Sequence, residues 1–357
     1  MNVRLQRHLL RDAARLARRG GGLQCAAAGL LSAFVAPAPA GPADADPASA
    51  LPEGEFVQGR FGTGTKARDY KLFIPPGPLA QPRPLVLMLH GCTQDPDDFA
   101  AGTAMNEAAR EEGLFVLYPA QCDRAHPHRC WNWFRRSHQA RGRGEPALLA
   151  AMVRAVMAQH AIDPARVYVA GLSAGGAMAA ILGDAYPELF AAVGVHSGLR
   201  PGAARDMASA LQAMKQGAPG TASPWRPARP TIVVHGEADR TVHPRNGDLL
   251  VPEEAGPGMT VVTETVRTPG RHAYTRRVHR DGQGAVVAEH WLVHGATHAW
   301  SGGRRPASHT DPQGPDATRA MLAFFRQHAL AVGARGVRAR VPLTPARGGG
   351  QSPPLFG

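Results

Sequence analysis

Ser173 is the residue in this sequence best placed to act as a nucleophile. It lies in residues 171–175, Gly-Leu-Ser-Ala-Gly, which match the Gly-x-Ser-x-Gly pattern of a serine on a sharp strand-to-helix turn. Small flanking residues are needed because larger side chains would strike the neighbouring strand or helix. The helix N-terminus also favours negative charge that develops there. The pattern predicts nucleophilic catalysis at Ser173; a purely structural turn is the alternative.

A serine nucleophile needs a base, and the base needs an acid that orients it. Asp239 and His298 each follow a predicted strand, in loops of small residues. The chain order Ser173, Asp239, His298 is that of α/β-hydrolases. We therefore predict that these three residues form a catalytic triad. Weaker candidates are four other histidines for the base and two aspartates for the acid: His196, His235, His290, His294, Asp184 and Asp248.

A tetrahedral intermediate also needs two backbone N–H donors for its oxyanion. Ala174 follows the nucleophile and would supply one of them. The second donor is expected in the loop after the apolar strand 85–90, where Cys92 follows a His-Gly pair. We predict that the Cys92 amide fills this role.

Apolar strands alternate with helices along the chain, which favours an α/β fold with a mostly parallel central sheet and helices on both faces. In such sheets ligands bind at the carboxyl ends of the strands, where the candidate residues lie. The predicted strands are 56–61, 70–74, 85–90, 114–118, 167–170, 190–196, 231–235, 273–279 and 285–293. The predicted helices are 98–112, with Asp97 or Asp98 as its N-cap, 145–160, 176–186 and 317–330. The first two strands form an antiparallel edge hairpin, and 121–144 is a long loop.

The net charge of +12 is concentrated at the two ends of the chain. Residues 1–20 contain six Arg and one Asp, and residues 331–357 contain four Arg and no acidic residue. The central part is nearly balanced and has no basic, aromatic-rich face, so we expect no nucleic-acid partner.

We predict three parts: a leader with a Pro/Ala linker (1–50), a catalytic domain (51–332) and a basic tail (333–357). An Arg-rich segment followed by the short apolar stretch 23–36 and small residues has the outline of a secretory signal peptide. We therefore expect an extracellular or periplasmic protein. An amphipathic helix in a cytoplasmic protein is the alternative. The apolar stretch is too short for a transmembrane helix.

Five motifs in order resemble the polyhydroxybutyrate (PHB) depolymerase-type esterases, which are α/β-hydrolases related to feruloyl and acetylxylan esterases. They are Leu-His-Gly-Cys-Thr-Gln (89–94), Cys-Trp-Asn-Trp-Phe (130–134), Gly-Leu-Ser-Ala-Gly-Gly (171–176), His-Gly-Glu-Ala-Asp (235–239) and His-Ala-Trp-Ser-Gly-Gly (298–303). The resemblance covers about residues 55–330. It implies ester hydrolysis by a Ser-Asp-His triad, without metal or other cofactor, on short-chain poly(3-hydroxyalkanoate) or similar acyl esters.

Four residues in these motifs are candidate substrate contacts: Trp131, Asn132, Trp133 and Trp300. The indole rings of Trp131 and Trp133 could cover an apolar polyester or stack on a sugar or an aromatic acid. Core packing of one of them is an equal alternative. A feruloyl or acetylxylan esterase is therefore a second hypothesis, and a non-enzymatic granule-binding protein is a third, which the intact triad disfavours.

The four cysteines are Cys25, Cys92, Cys122 and Cys130, and no pair has zinc-site spacing with partners. Cys92 and Cys130 would lie close together if the long loop folds over the strand ends. In an oxidising compartment we expect a Cys92–Cys130 disulfide that pins this loop beside the oxyanion hole. A local Cys122–Cys130 bridge is the rival pairing.

Overall fold

The computed structural model describes residues 53–331 except 65–66, 79–80, 220–225 and 253–257. The predicted leader, its linker and the basic tail lie outside these residues. No helix in the described ranges is both long and apolar enough to cross a lipid bilayer.

The strands form one ten-stranded sheet and one small two-stranded sheet. The ten strands are β1 (Glu55–Phe61), β2 (Arg68–Ile74), β3 (Arg83–Leu89), β4 (Phe115–Pro119), β5 (Ile162–Leu172), β6 (Ala192–His196), β7 (Thr231–Gly236), β8 (Thr260–Val266), β9 (Tyr274–Arg280) and β10 (Val286–Val293). Their order is β1-β2-β4-β3-β5-β6-β7-β10-β9-β8. The six central strands, β4, β3, β5, β6, β7 and β10, are parallel to one another. The pairs at the two edges, β1 with β2, β2 with β4, β10 with β9 and β9 with β8, are antiparallel. The small sheet pairs β11 (Trp300–Ser301) with β12 (Thr310–Asp311).

Helices cover both faces of the large sheet, as predicted. They are α1 (Pro96–Thr103), α2 (Met105–Glu112), α3 (Gly144–Gln159), α4 (Ala174–Ala185), α5 (Met207–Gln216), α6 (Arg245–Asp248) and α7 (Ala317–Phe325). Strand β3 shows the two-sided burial: Leu85 and Leu87 pack in the cluster that contains α3 and α4, whereas Val86 and Met88 pack with α1, α2 and α7. This is why β3 is a continuous apolar run without polar alternation.

Two predicted helices differ from the observed ones, one because it is divided in two and the other because it ends earlier. The expected helix 98–112 is divided at Ala104, which has a left-handed φ of 52°. Its N-cap is Asp95, whose side chain accepts a hydrogen bond from the Asp98 amide at 2.9 Å, so the prediction of Asp97 or Asp98 is wrong. Pro96 fits the first helical position because no N–H is needed there. The last helix ends at Phe325 instead of Leu330.

Strand β8 was missed by the sequence analysis. Six of its seven side chains are exposed, so it lacks the apolar alternation of a half-buried strand. Its pairing with β9 is what makes it a strand. Both predicted hairpins, at the N-terminal edge and around residues 281–282, are confirmed.

Candidate active site

Ser173 occupies the turn between β5 and α4, with φ 58° and ψ −117°, a combination that residues with a Cβ rarely adopt. The turn is held by close contacts that only glycine allows. A Cβ at Gly175 would clash with the carbonyl oxygen of Leu89, and one at Gly171 would lie 2.5 Å from the Gly175 carbonyl oxygen. This geometry is that of a nucleophile elbow.

Asp239 and His298 come together from loops that follow β7 and β10. The Asp239 carboxylate accepts a hydrogen bond from His298 Nδ1 at 2.6 Å. Its other oxygen accepts from the amides of Thr241 and Val242, each at 2.8 Å. Because Nδ1 donates to the carboxylate, Nε2 of His298 is the nitrogen available to accept a proton.

The environment of Asp239 favours its ionised form. Burial by itself raises the pKa of this carboxyl, but the nearby His235 ring and hydrogen bonds from His298 and the Val242 amide outweigh it and hold the pKa well below its ordinary value. The carboxylate can therefore orient the His298 ring and stabilise it as an imidazolium.

His235 lies next to the Asp239 carboxylate. It is fully buried. Its Nε2 lies 2.8 Å from the Val242 carbonyl oxygen and 3.4 Å from Asp239 Oδ2. From the sequence, His235 is expected either as a rival base or as a residue lining the pocket; its strand-end position is the one signal that it could support the acid.

His196 is also buried and connects two parts of the site. Its carbonyl accepts a hydrogen bond from the Ser173 amide at 2.8 Å. Its Nε2 accepts from the Ser301 amide at 2.9 Å. The elbow and the loop that follows His298 are therefore attached to the same residue.

The Ser173 hydroxyl makes no hydrogen bond to His298 within the described part of the chain. Such bonds are often loose before substrate binds and tighten in the complex. The structure therefore pairs Asp239 with His298, and His196 connects the turn of Ser173 to the loop that follows His298. The full triad stays a prediction.

The rival side chains have other partners. His294 Nε2 lies 2.9 Å from Thr275 Oγ1. His290 is buried and its Nδ1 accepts from Arg277 at 2.6 Å, while Asp248 forms an exposed ion pair with the same arginine. These contacts leave His298 as the histidine paired with the buried Asp239.

The two predicted oxyanion donors lie in one pocket with the nucleophile. Cys92, Ser173 and Ala174 all line it. Neither the Cys92 amide nor the Ala174 amide donates to another group of the described residues. Ala174 is also the first residue of α4, so the helix dipole adds to the positive potential there. Both amides remain available to an oxyanion.

A Cys92–Cys130 disulfide ties the long loop to the oxyanion segment, and Cys122 is the free cysteine of the described chain. The next residue, Trp131, strengthens the attachment because its indole N–H donates to the His90 carbonyl at 3.1 Å. This is the pairing expected from the sequence rather than the local Cys122–Cys130 bridge.

Glu145 holds the same loop in place through hydrogen bonds and was not predicted from the sequence. This buried carboxylate accepts hydrogen bonds from the Asn132 amide at 2.7 Å, from Asn132 Nδ2 at 2.8 Å and from Gln121 Nε2 at 2.6 Å. Burial raises its pKa, but these bonds and the neighbouring His138, whose Nδ1 lies 3.4 Å from Oε2, outweigh that and lower it. The signal in the sequence is that Glu145 is the one acidic residue of the apolar helix α3.

The pocket around Ser173 has a volume of about 190 Å³ and is mainly apolar. Besides the three residues already named, it is lined by His126, His128, Cys130, Trp133, Phe134, Leu199, Met207, Ala210, Leu211, Met214 and Val242. No three His, Cys, Asp or Glu side chains of the described residues are grouped to hold a metal ion.

Of the four predicted substrate contacts, Trp133 lines this pocket and the other three do not. Trp131 is fully buried in the core, and the side-chain amide of Asn132 donates a hydrogen bond to the buried Glu145 carboxylate. Trp300 is buried on the other face of the sheet, where its N–H donates to Thr318 Oγ1 at 3.1 Å. These three assignments are corrected: the side chains hold the loops that surround the site.

Removing the disulfide should impair turnover in a protein that still folds. In a Cys92→Ser/Cys130→Ser variant we expect kcat to fall by about tenfold to a hundredfold, because the Cys92 N–H is no longer held in place. Closing a loop over 38 residues also contributes about 4 kcal/mol to the free energy of unfolding in the chain-entropy description. Ester hydrolysis at 25 °C and urea unfolding measure the two effects. Cys122→Ser is the matched control, and full turnover by the folded double variant would refute the role of the bridge.

The chain resembles proteins of known name over most of the described region. Residues 68–255 match the family described as esterase PHB depolymerase. Poly(3-hydroxyalkanoate) depolymerase C of Paucimonas lemoignei is 30% identical over 250 residues, which cover 66% of this chain and 59% of that protein, so the chain spans less than two thirds of its length. Feruloyl esterase B of Thermothelomyces thermophilus is 29% identical over 220 residues, covering 56% of this chain and 74% of that protein.

Among solved structures, an acetyl xylan esterase from Aspergillus awamori has a TM-score of 0.57 at 19% identity, covering 76% of this chain and 99% of that chain. This likeness concerns the fold, which is the predicted α/β-hydrolase fold. The family match covers more than half of the 357 residues and includes the elbow. The chain therefore belongs to the esterase PHB depolymerase family.

Proposed function

We propose that this chain is a serine esterase that hydrolyses ester bonds of short-chain poly(3-hydroxyalkanoate), with Ser173 as nucleophile, His298 as base and Asp239 as the orienting acid. One observation carries the proposal: the elbow serine lines the same apolar pocket as two residues whose amides donate to no group among the described residues. The pairing of His298 with the buried Asp239 at 2.6 Å supports the assignment of base and acid.

The reaction follows from the chemistry of these groups. His298 Nε2 takes the proton of the Ser173 hydroxyl as its oxygen attacks the ester carbonyl carbon. The amides of Cys92 and Ala174 donate to the oxyanion of the tetrahedral intermediate. His298 then protonates the departing alcohol, which leaves an acyl-enzyme at Ser173. A water molecule, activated by the same ring, hydrolyses the acyl-enzyme and releases the carboxylic acid.

The shape and lining of the pocket favour a small, apolar acyl group. At about 190 Å³ it is smaller than the sites of drug-sized ligands, which are about 300 Å³ or more. Leu199, Met214 and Val242 offer methyl and methylene surface but no hydrogen bonds to sugar hydroxyls. An acyl unit with a short alkyl branch is the substrate class that this pocket accommodates best.

A feruloyl ester is the second candidate. Trp133 and Phe134 line the pocket with rings at 89° to each other, which would suit an aromatic acid. The similarity to a feruloyl esterase supports the same reading. Turbidity loss of amorphous poly(3-hydroxybutyrate), compared with release of ferulate from methyl ferulate, separates the two. Rapid ferulate release without polymer clearing would overturn the polyester assignment.

Two exposed apolar side chains at the pocket predict a difference between polymer and soluble substrates. Met207 and Leu211, on α5, are 49% and 51% exposed. We expect each to contribute about 1 kcal/mol to contact with a polyester surface, since about half of each side chain can be buried. A Met207→Ser/Leu211→Ser variant should therefore clear amorphous poly(3-hydroxybutyrate) about thirtyfold more slowly, since about 2 kcal/mol is lost in total. Hydrolysis of p-nitrophenyl butyrate should change less than about twofold, because this small ester should not extend over the exposed parts of Met207 and Leu211.

The matched control is Val262→Ser, which removes an equally exposed apolar side chain, 56% exposed, on strand β8 and away from the pocket. Its polymer clearing should equal that of the unaltered protein. Equal loss on both substrates in the double variant would show that α5 shapes the active site instead of the polymer contact.

A further inference from the structure

A second concave site lies beside the long loop and shares no lining residue with the pocket around Ser173. It has a volume of about 240 Å³ and lies between the β1–β2 hairpin and the start of the loop. Four arginines line it: Arg60, Arg68, Arg124 and Arg129. We call it the arginine pocket.

The arginine pocket carries more positive than negative charge. Its acidic lining residues are Asp69 and Asp123. Asp69 is paired with Arg60 at 2.7 Å, and Asp123 lies 4.0 Å from Arg129. Within the described residues, the other two arginines have no carboxylate within 4.0 Å. Two guanidinium groups are thus left without a counter-ion.

Arg68 is the central observation, because it is only 8% exposed. Its Nε donates to Gln121 Oε1 at 3.2 Å and its Nη1 donates to the Ala67 carbonyl at 3.0 Å. Its Nη2 has no acceptor within the described chain. Because Nη2 is not enclosed, an anion can reach it, and a charge-assisted hydrogen bond from a guanidinium to a carboxylate is stronger than one between neutral groups.

The guanidinium of Arg68 is also held in a fixed orientation. Gln121, which accepts from it, is anchored by donating to Glu145 Oε1 at 2.6 Å and to the Cys130 carbonyl at 3.0 Å. A preorganised donor loses little conformational entropy when it binds a ligand. Its Nη2, the nitrogen left without an acceptor among the described residues, can donate a charge-assisted hydrogen bond to a carboxylate oxygen.

We propose that the arginine pocket binds the carboxylate of a small organic acid through Arg68 and Arg124. The choice of acid rests on the proposed function, because hydrolysis of a 3-hydroxyalkanoate ester produces a 3-hydroxy acid. Such an acid would bind as a product, or as the free acid end of an oligoester. The carboxylate site itself rests only on the geometry of the arginines.

Isothermal titration calorimetry of the full chain with sodium 3-hydroxybutyrate at low ionic strength tests the site. We expect binding that Arg68→Gln and Arg124→Ala each weaken by about tenfold or more, since each removes a charge-assisted hydrogen bond. Arg124 is exposed, so its replacement leaves the fold intact even if the buried Arg68 variant does not fold. The matched control is Arg280→Ala, an exposed arginine on β9, which should bind as the unaltered protein does.

Two further titrations define the ligand. Methyl 3-hydroxybutyrate lacks the charge and should not bind at this site, and equal affinity for it would overturn the proposal. Tighter binding of inorganic phosphate than of the carboxylate would assign the pocket to phosphate instead. Binding that survives Arg124→Ala would place the acid elsewhere, and no heat with the acid would also refute the site.

These outcomes are independent of the esterase proposal. Binding is measured without turnover, and Arg124→Ala should hydrolyse p-nitrophenyl butyrate at the unaltered rate. A protein that binds 3-hydroxybutyrate but hydrolyses no ester would refute the function and leave the carboxylate site standing.

Discussion

Replacing Ser173 with alanine should lower kcat/KM for p-nitrophenyl butyrate by about 10⁴-fold or more, because no nucleophile remains to form the acyl-enzyme. His298→Ala should have a similar effect, since the residues of a triad act as a unit and single losses are not additive. Asp239→Asn should cost about 10⁴-fold, because an amide can favour the wrong tautomer of the His298 ring. Initial rates with purified variants, after circular dichroism shows that each is folded, provide the measurement.

The control for this set is His294→Ala. His294 directly follows strand β10, and its Nε2 lies 2.9 Å from Thr275 Oγ1. The His294→Ala substitution should therefore leave turnover within about twofold of that of the unaltered protein. Wild-type turnover in His298→Ala, combined with loss of turnover in His294→Ala, would show that the base has been assigned to the wrong histidine.

The protein should lose much of its stability between pH 6.5 and pH 4. Burial lowers the pKa of His90 to about 4 and that of His196 to about 3, whereas both lie near 6.5 in the unfolded chain. Since the unfolded state binds these protons at higher pH, the free energy of unfolding is fully present above pH 6.5 and falls as pH decreases. Each histidine should contribute a loss of about 1.4 kcal/mol per pH unit, or about 3 kcal/mol by pH 4.

Urea unfolding at pH 7, 6, 5 and 4 measures this dependence. Val262→Ser, at an exposed position that does not titrate, is the control and should leave the pH dependence unchanged. His196→Gln should be less stable at pH 7 but should lose less stability on acidification. A free energy of unfolding that stays constant from pH 7 to pH 5 would contradict the neutral, buried state of both histidines.

The catalytic candidates could be named from the sequence because their constraints are short in range. The elbow depends on five consecutive residues, and two of these positions, Gly171 and Gly175, exclude larger side chains because an added Cβ would clash with the backbone. Asp239 and His298 follow apolar strands whose carboxyl ends must meet at one edge of a parallel sheet. The same reasoning predicted the central strands, because a strand buried on both faces must be a continuous apolar run.

The roles of individual side chains in the long loop could not be predicted in this way. Trp131 and Trp133 are two positions apart, yet one lies in the core and the other lines the pocket. An irregular loop has no fixed period that assigns side chains to faces, unlike a helix or strand. Their opposite roles depend on the disulfide and on the hydrogen bond from Trp131 to the His90 carbonyl.

The fold class, the elbow motif and the candidate nucleophile, acid and base were predictable from the sequence, since they depend on local sterics, apolar periodicity and chain order. The groups that support these candidates became visible only in the folded chain. Glu145 accepts from Gln121 across 24 residues, and Arg68 donates to the same glutamine across 53 residues. A buried polar side chain is stable only with its partners, and the partners here are set by how distant segments pack, which no local pattern records.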